Sequence, residues 1–183
     1  MVMKNLRRNE GFTLTELMVV IGIIVIAAAF TLPNISSWRA SAKLNGAARD
    51  LATNFQVAKM EATKRNNFCA VTFNITVDGT PFDVIVYVDD GDLLYEPGNT
   101  NPKEEILRRV KFSDSIYQNI SLDTVTFADN ASGQPSIAFN SRGLPIDNTG
   151  SVITVGANSV FIINDLGRKK TITVSPAGNV SIN

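Results

Sequence analysis

Two clusters of charged side chains are the residues of this chain whose types and spacing could bind ligands or support chemistry. The first cluster places four carboxylates within eight residues, at Asp89, Asp90, Asp92 and Glu96. Carboxylate oxygens bind calcium, but this spacing differs from that of an EF-hand loop. Paired carboxylates also serve glycosidases, although acids in a turn lack the apolar pocket that separates their pKa values. We therefore expect a polar hairpin turn with solvated charges, with calcium binding as the alternative.

The second cluster is basic. Arg168, Lys169 and Lys170 follow Gly167 in a predicted hairpin turn, and Arg142 could join them. Such cations can contact phosphate groups, so they are the candidate DNA contact of this chain. Three neighbouring cations supply only a small electrostatic footprint, and the segment that carries them is net acidic. DNA binding is therefore the weaker interpretation of this cluster.

The histidine and cysteine content excludes several classes of enzyme. The 183 residues include no histidine, and Cys69 is the only cysteine. Serine-histidine triads, histidine-ligated metals, multi-cysteine zinc sites and intrachain disulfides are therefore excluded. Cys69 lies at the start of a predicted strand, where a buried thiol that packs as a small apolar side chain is expected. Without a recognisable set of nucleophile, base and metal, the sequence predicts a non-enzymatic protein that needs no cofactor and no metal.

An apolar segment near the N-terminus sets the class of protein. Residues 12–32 contain a single charge, Glu16, and as a helix they would be about 31 Å long, enough to cross the hydrocarbon core of a bilayer. Basic residues precede this segment, so the positive-inside rule leaves the short N-terminus in the cytoplasm and exports the rest. An ordinary secretory signal, cleaved near residues 27–29, is the alternative, and a carboxylate at Glu16 fits it poorly.

The segment from Gly11 to Asn34 reads GFTLTELMVVIGIIVIAAAFTLPN, and it resembles the leader and N-terminal helix of type IV pilins and type II secretion pseudopilins. The resemblance implies that a prepilin peptidase cleaves after Gly11, removes residues 1–11 as a leader, and methylates Phe12. It also implies that Glu16 pairs with the free amino group of a neighbouring subunit during assembly. An ammonium group satisfies a carboxylate that an apolar filament core would otherwise leave unpaired, so this pair can fix the register of subunits.

Residues 33–66 are predicted to form an amphipathic stalk helix after the apolar segment. Apolar side chains recur there every three or four residues, as on one helix face: Leu44, Ala48, Leu51, Phe55, Ala58 and Ala62. Pro33 either kinks the helix, because it removes a backbone hydrogen bond, or begins a second helix. The apolar stripe must be covered, and the strand-rich segment that follows is the candidate.

Residues 67–183 are predicted to form a β-rich head. Short β-branched and aromatic runs alternate there with turn signals that suit an antiparallel meander or sandwich. The predicted strands are Phe68–Ile75, Phe82–Val88, Ile106–Phe112, Ser121–Phe127, Ile137–Phe139, Val152–Val155, Val160–Ile163, Thr171–Val174 and Val180–Ile182. The sequence thus predicts an α+β fold in which a long N-terminal transmembrane and stalk helix packs against an antiparallel β-sheet head.

Three stretches of the head carry a second resemblance. They read VYVDDGDLLYEPGNTNPKEEILRRV, IAFNSRGLP and SVFIINDLGRKKTITVSPAGNVSIN, and they are similar to the minor pseudopilin H and fimbrial minor pilin (GspH/FimT) group. That resemblance implies a pilin-like fold and a minor subunit near the filament tip that promotes assembly. In some members, arginines of a C-terminal glycine-arginine motif are implicated in DNA binding. The corresponding residues here, 178–181, read GNVS and lack arginine, which weakens the case for DNA binding. A role as a pilus-associated adhesin or in DNA uptake is therefore only the alternative.

Charge is segregated along the chain although 17 basic residues balance 17 acidic ones. The leader carries +2, the apolar segment −1, the stalk +4 and the head −5, which suits a basic stalk beside anionic headgroups. The resemblance implies a single-pass protein of the bacterial inner membrane with a periplasmic head, assembled into a pilus or pseudopilus. The partners that it implies are other pilin or pseudopilin subunits, the prepilin peptidase, the assembly platform and secreted cargo, and DNA is not expected.

Overall fold

A computed structural model describes residues 11–29, 35–96, 104–114, 116–156 and 158–183 in full, and residues 30–34 by their backbone only. One long helix, α1 (Leu14–Arg65), comes first, and nine strands follow within the described residues. The strands are β1 (Phe68–Val77), β2 (Thr80–Asp89), β3 (Ile106–Val110), β4 (Ile120–Val125), β5 (Ser136–Phe139), β6 (Pro145–Ile146), β7 (Ser159–Asn164), β8 (Lys169–Val174) and β9 (Val180–Ile182).

The chain divides into two compact units, Met1–Arg39 and Ala40–Asn183. The first unit holds the N-terminal part of α1, and the second holds its C-terminal part together with all of these strands. Within the described part of the chain, no helix combines the length and the apolar character that a membrane crossing requires.

All strand pairs in the described part of the head are antiparallel, and they form two sheets. The first sheet has the order β3-β2-β1-β5-β6, and the second has the order β4-β7-β8-β9. Asp78 and Gly79 join β1 to β2 with φ angles of 50° and 75°, as in the tight turns whose twist matches that of the flanking strands. The predicted α+β class with an antiparallel head is therefore confirmed.

The C-terminal part of α1 shares one apolar core with both sheets. Its buried side chains recur every three or four residues: Leu44, Ala47, Ala48, Leu51, Phe55, Ala58 and Ala62. The same cluster contains apolar residues of β1, β2 and β5 from the first sheet and of β7 and β8 from the second. At its centre the rings of Phe55, Phe73 and Phe127 lie 5.7–6.2 Å apart. The apolar stripe predicted from the sequence is thus covered by the head, as expected.

The strand predicted over Val152–Val155 is wrong, whereas every other predicted strand overlaps an observed one. Val152 makes only an isolated bridge with Ile146, and Val155 is 91% exposed. Strand propensity is expressed where a side chain has a sheet face to pack on, and Val155 has none. The buried pair Pro145–Ile146 forms β6 instead, by pairing with β5. A proline within a short apolar run is typical of a turn, so the sequence pattern did not predict this edge strand.

The predicted strand Ile106–Phe112 also ends earlier than expected, at Val110. The N–H of Phe112 donates to the Asp83 carboxylate at 2.7 Å, and Phe112 begins a short 3-10 turn. A side-chain acceptor therefore replaces the strand ladder at this point, which a residue pattern does not reveal.

A second apolar cluster includes the segment that follows β2. Leu93 is fully buried in it with Tyr87, and the Tyr95 ring meets the Tyr87 ring edge-on at 5.3 Å. The Asn130 amide donates to the Leu93 carbonyl at 2.9 Å. These contacts fix the start and the end of the acidic turn that lies between Asp89 and Leu93.

Candidate functional site

The N-terminal end of α1 contains the residues predicted to be processed and to guide assembly. Gly11 and Phe12 are exposed and lie before the first helical residue, Leu14. A peptidase needs an extended backbone at the bond that it cleaves, and the Gly11–Phe12 bond lies outside the helix. The local structure at this point is therefore compatible with cleavage between these two residues.

Thr13 caps the helix. Its hydroxyl oxygen accepts the N–H of Glu16 at 3.2 Å, and its carbonyl accepts the N–H of Leu17 at 3.1 Å. A threonine followed three residues later by glutamate is the capping-box sequence, so Thr13-x-x-Glu16 is a signal of the helix start that was not among the predictions. The cap satisfies one of the N–H groups that a helix start leaves unpaired.

Glu16 is exposed and lies in the first turn of α1. The N-terminus of a helix carries a partial positive charge that favours an acidic residue in its first turn, and Glu16 occupies such a position. Large apolar side chains from Leu14 to Ile26 surround this single acid, and all of them are exposed. Such a surface on every side of a helix must be covered by lipid or by other apolar helices.

Three contacts join the C-terminal part of α1 to loops of the head. The Tyr117 hydroxyl donates to the Asp50 carboxylate at 2.6 Å. The Lys59 ammonium group donates to the Gly178 carbonyl at 3.0 Å. The guanidinium group of Arg168 donates to the Ser41 hydroxyl. Polar contacts therefore accompany the apolar core along the stalk, and no local sequence pattern indicates these long-range pairs.

A cleft of about 560 Å³ lies beside the Tyr117–Asp50 contact. Cations from β3 and the chain after it, Arg108, Arg109 and Lys111, line it together with Asp50 and Asp114. Lys111 pairs with Asp114 at 2.8 Å, and the Arg109 guanidinium lies 5.6 Å from the centre of the Phe82 ring. The charges of the cleft are mixed, so it does not favour one class of ligand.

Two of the three cations that were predicted to contact phosphate instead contact other residues of this chain. Arg168 contacts Ser41 as described above, and Lys169 pairs with Asp123 at 2.7 Å. Lys169 and Lys170 are consecutive residues of β8, and consecutive side chains of a strand point to opposite faces of the sheet. The three cations therefore do not share one surface of β8, and DNA contact stays a prediction.

The acidic turn brings three of its four predicted carboxylates together. Asp89, Asp90 and Asp92 each place one oxygen within 4.8 Å of the others, whereas the exposed Glu96 is not part of this group. Asp90 and Asp92 are exposed as expected, but Asp89 is fully buried. The predicted turn of solvated charges is therefore wrong for Asp89, which ends a buried strand and takes its environment from the sheet.

Cys69 is fully buried, which confirms the prediction of a structural thiol. Burial raises the pKa of this thiol to about 12. A thiol needs a lowered pKa to act as a nucleophile at neutral pH, so Cys69 lacks the activation that catalysis requires.

Several N-terminal predictions fall on residues outside the described part of the chain. They concern the leader, of which residues 1–10 lie outside it. The backbone of residues 30–34 continues α1, so the alternative in which Pro33 begins a second helix is wrong. The leader and the kink at Pro33 stay predictions.

Comparison with known proteins places the chain in a family. The family described as type II transport protein GspH matches residues 47–178, which is more than half of the chain. The prokaryotic N-terminal methylation motif matches residues 6–32. "Pilin-like protein PilA1" of Thermus thermophilus is 29% identical over 165 residues, which cover 88% of this chain and 97% of that relative. No solved structure gives a significant match. The chain therefore belongs to the GspH family of type IV pilin-like minor pilins and pseudopilins.

Proposed function

We propose that this protein is a minor subunit of a type II secretion pseudopilus or a type IV pilus, and that it acts near the filament tip to promote assembly. The observation that carries the proposal is the exposed apolar surface from Leu14 to Ile26, which surrounds the single carboxylate of Glu16. Neighbouring helices of other subunits would cover this surface in a filament, and the membrane would cover it before assembly.

Processing is the first step of the proposed function. Prepilin peptidase would cleave the exposed, non-helical bond between Gly11 and Phe12 and methylate the new N-terminus at Phe12. The match of residues 6–32 to the N-terminal methylation motif supports this step. The new amino group would lie four residues before Glu16, next to the capped start of α1.

Assembly is the second step. The exposed carboxylate of Glu16 would pair with the Phe12 amino group of a neighbouring subunit and so fix the register between the two. A buried ion pair adds little net stability, whereas removal of one partner strands the other charge. Glu16 would therefore act mainly by setting the register of a subunit against its neighbour, and less by adding stability.

The location and partners follow from these steps. The mature chain would be stored in the bacterial inner membrane with its head, residues 67–183, in the periplasm. The assembly platform would then extract it into the filament, where the head loops would meet other minor subunits and secreted cargo. Family membership supports contact with other pilin or pseudopilin subunits.

The variant Glu16→Gln tests the assembly step. Glutamine also completes a capping box, so this change removes the charge and keeps the helix start. We expect incorporation into sheared filaments to fall by about tenfold or more, because a stranded ammonium group in an apolar core is costly. The control is Glu96→Gln, which removes the same charge from an exposed position of the head and should leave incorporation unchanged. Wild-type incorporation of Glu16→Gln would contradict the proposed role.

Mass spectrometry of the mature protein tests the processing step. We expect an N-terminus at Phe12 that carries one added methyl group. A start between residues 28 and 30 would instead identify an ordinary secretory signal and overturn the proposal.

A further inference from the structure

The acidic turn after β2 has a feature that filament assembly does not explain. Oxygens of Asp89, Asp90 and Asp92 lie within 4.8 Å of one another. Like charges at this separation repel one another, and the repulsion is stronger where one of them is removed from water. A fold that holds three carboxylates this close needs a source of positive charge or a proton.

Backbone N–H groups hold each of these carboxylates in place. One oxygen of Asp89 accepts the N–H groups of Gly91 and Leu93 at 2.9 and 3.3 Å. The Asp90 carboxylate accepts the N–H of Asp92 at 3.3 Å, and the Asp92 carboxylate accepts the N–H of Leu94 at 2.8 Å. The turn is therefore arranged before any ligand arrives, which lowers the cost of binding.

The second oxygen of Asp89, which does not take part in these two hydrogen bonds, lacks a partner. Asp89 is 0% exposed, and its Oδ1 atom has no hydrogen-bond partner among the described residues. A buried carboxylate oxygen without a donor is costly, and such orphan atoms in native structures mark an ion, a water molecule or a functional strain. The orphan atom is an observation independent of the clustering.

The electrostatic environment of Asp89 is negative. Asp89 is buried, and oxygens of Asp90 and Asp92 lie within 4.8 Å of one of its own. Two like charges therefore lie beside Asp89, and a bound cation would offset their repulsion.

We propose that Asp89, Asp90 and Asp92 form a calcium-binding site. Calcium prefers oxygen ligands at about 2.3–2.6 Å, so two ligands of one ion lie at most about 5 Å apart. The separation of up to 4.8 Å in this turn fits one such ion. Magnesium holds its ligands at about 2.1 Å in strict octahedral geometry, which favours a tighter cluster.

The burial pattern of the site suits a partly hydrated ion. Asp89 would bind from the buried side, while the exposed Asp90 and Asp92 would close over the ion and leave positions for water. Binding would connect the end of β2 to the buried Leu93, so calcium would stabilise the head at this turn. This inference stands apart from the proposed function, since neither cleavage nor Glu16 takes part in it.

Calorimetric titration of the full chain in mild detergent with calcium chloride tests the site. We expect saturable binding of one ion, with a dissociation constant on the order of 10⁻⁵–10⁻³ M, and a rise in the melting temperature of the head. Asp92→Asn should weaken calcium binding by about tenfold or more, because ligand charge sets calcium affinity. Asp78→Asn is the matched control, because it removes the same charge from an exposed hairpin turn outside the cluster, and it should bind as the wild type does.

Three results would overturn the proposal. Absence of saturable heat up to 10 mM calcium, in a buffer where the chain is folded, would show that Asp89 is a buried acid without a metal. Equal affinity of Asp92→Asn and the wild type would assign the heat to other acids of the surface. Equal responses of the melting temperature to calcium and magnesium would show general screening of charge. As a second variant, Asp89→Asn keeps an acceptor for both N–H groups, and it should abolish the calcium response while the head still folds.

Discussion

The two ends of α1 place the same kinds of side chain in opposite environments. Leu17, near the N-terminus, is 55% exposed, whereas Leu51, in the stalk, is 1% exposed. Both lie in one helix with the same backbone hydrogen bonding. The difference therefore comes from what covers each side chain: the head covers Leu51, whereas no described residue covers Leu17 to the same extent. The helical conformation alone therefore does not show which end of α1 is stabilised by packing within the chain.

The strongest test of this comparison is a pair of identical substitutions in α1. Leu51→Ala should lower the free energy of unfolding of the head by about 2–5 kcal/mol, because it opens a cavity in a close-packed core. Leu17→Ala should change it by less than about 0.5 kcal/mol, as expected for an exposed site. Urea unfolding of the full chain in mild detergent, followed by near-UV circular dichroism, measures both. Equal losses would show that the two ends are not independent.

A second test concerns how closely the C-terminal turn at Gly178 packs against a neighbouring loop of the head, at Gly143. Gly178 has a φ of +73°, and a Cβ atom there would lie 2.6 Å from the Gly143 carbonyl oxygen. Gly178→Ala should therefore cost about 2–4 kcal/mol, from the left-handed backbone and from the loss of this close packing.

Gly167 provides the matched control for this test. Its φ is also +73°, but no atom lies within 4 Å of a Cβ atom placed there, so Gly167→Ala should cost only about 1–2 kcal/mol. The difference between the two variants, measured in the same urea titration, reports the close approach. Equal costs would mean that the turn at Gly178 moves away from its neighbours freely.

The smallest expected effect is at the contact between Tyr117 and Asp50. Tyr117→Phe should lower the free energy of unfolding by about 0.5–1.5 kcal/mol, since it removes one hydrogen bond to a carboxylate near the surface. A double-mutant cycle with Asp50→Asn isolates the coupling between the two side chains. Additive losses in that cycle would show that the 2.6 Å contact contributes nothing of its own.

The same contact has a pH signature. Burial and the hydrogen bond to Asp50 raise the pKa of Tyr117 to about 12 from 10.0. Because the folded state holds this proton more tightly, the stabilising contribution is complete below pH 10 and is lost between pH 10 and 12. The wild type should therefore lose more stability over this range than Tyr117→Phe does.

Local patterns predicted much of the fold. The spacing of Leu44, Leu51 and Phe55 predicted the buried face of the stalk, because a helix repeats every 3.6 residues whatever covers it. Alternation and turn signals predicted most strands, because successive side chains of a strand point to opposite faces whatever covers them. The edge pair Pro145–Ile146 was missed because its partner, β5, decides its conformation rather than its own residues.

The candidate site was predictable only where it is continuous in sequence. Gly11, Phe12 and Glu16 lie within one short motif, and Asp89, Asp90 and Asp92 within one turn. The burial of Asp89 was not predictable, because it depends on the sheet and on the buried Leu93 beyond the turn. The pairing of Lys59 with Gly178 spans 119 positions, and no local pattern encodes such a separation.

The cap at Thr13 has a consequence for what cleavage would change. All the groups that start α1 lie after Phe12, so removal of residues 1–11 would leave the beginning of the helix intact. The cut would create an ammonium group at the positive end of the helix dipole, where a cation is unfavourable. The mature chain would thus keep the same helix start and gain an unfavourable positive charge at Phe12. A carboxylate supplied by another molecule would offset that charge.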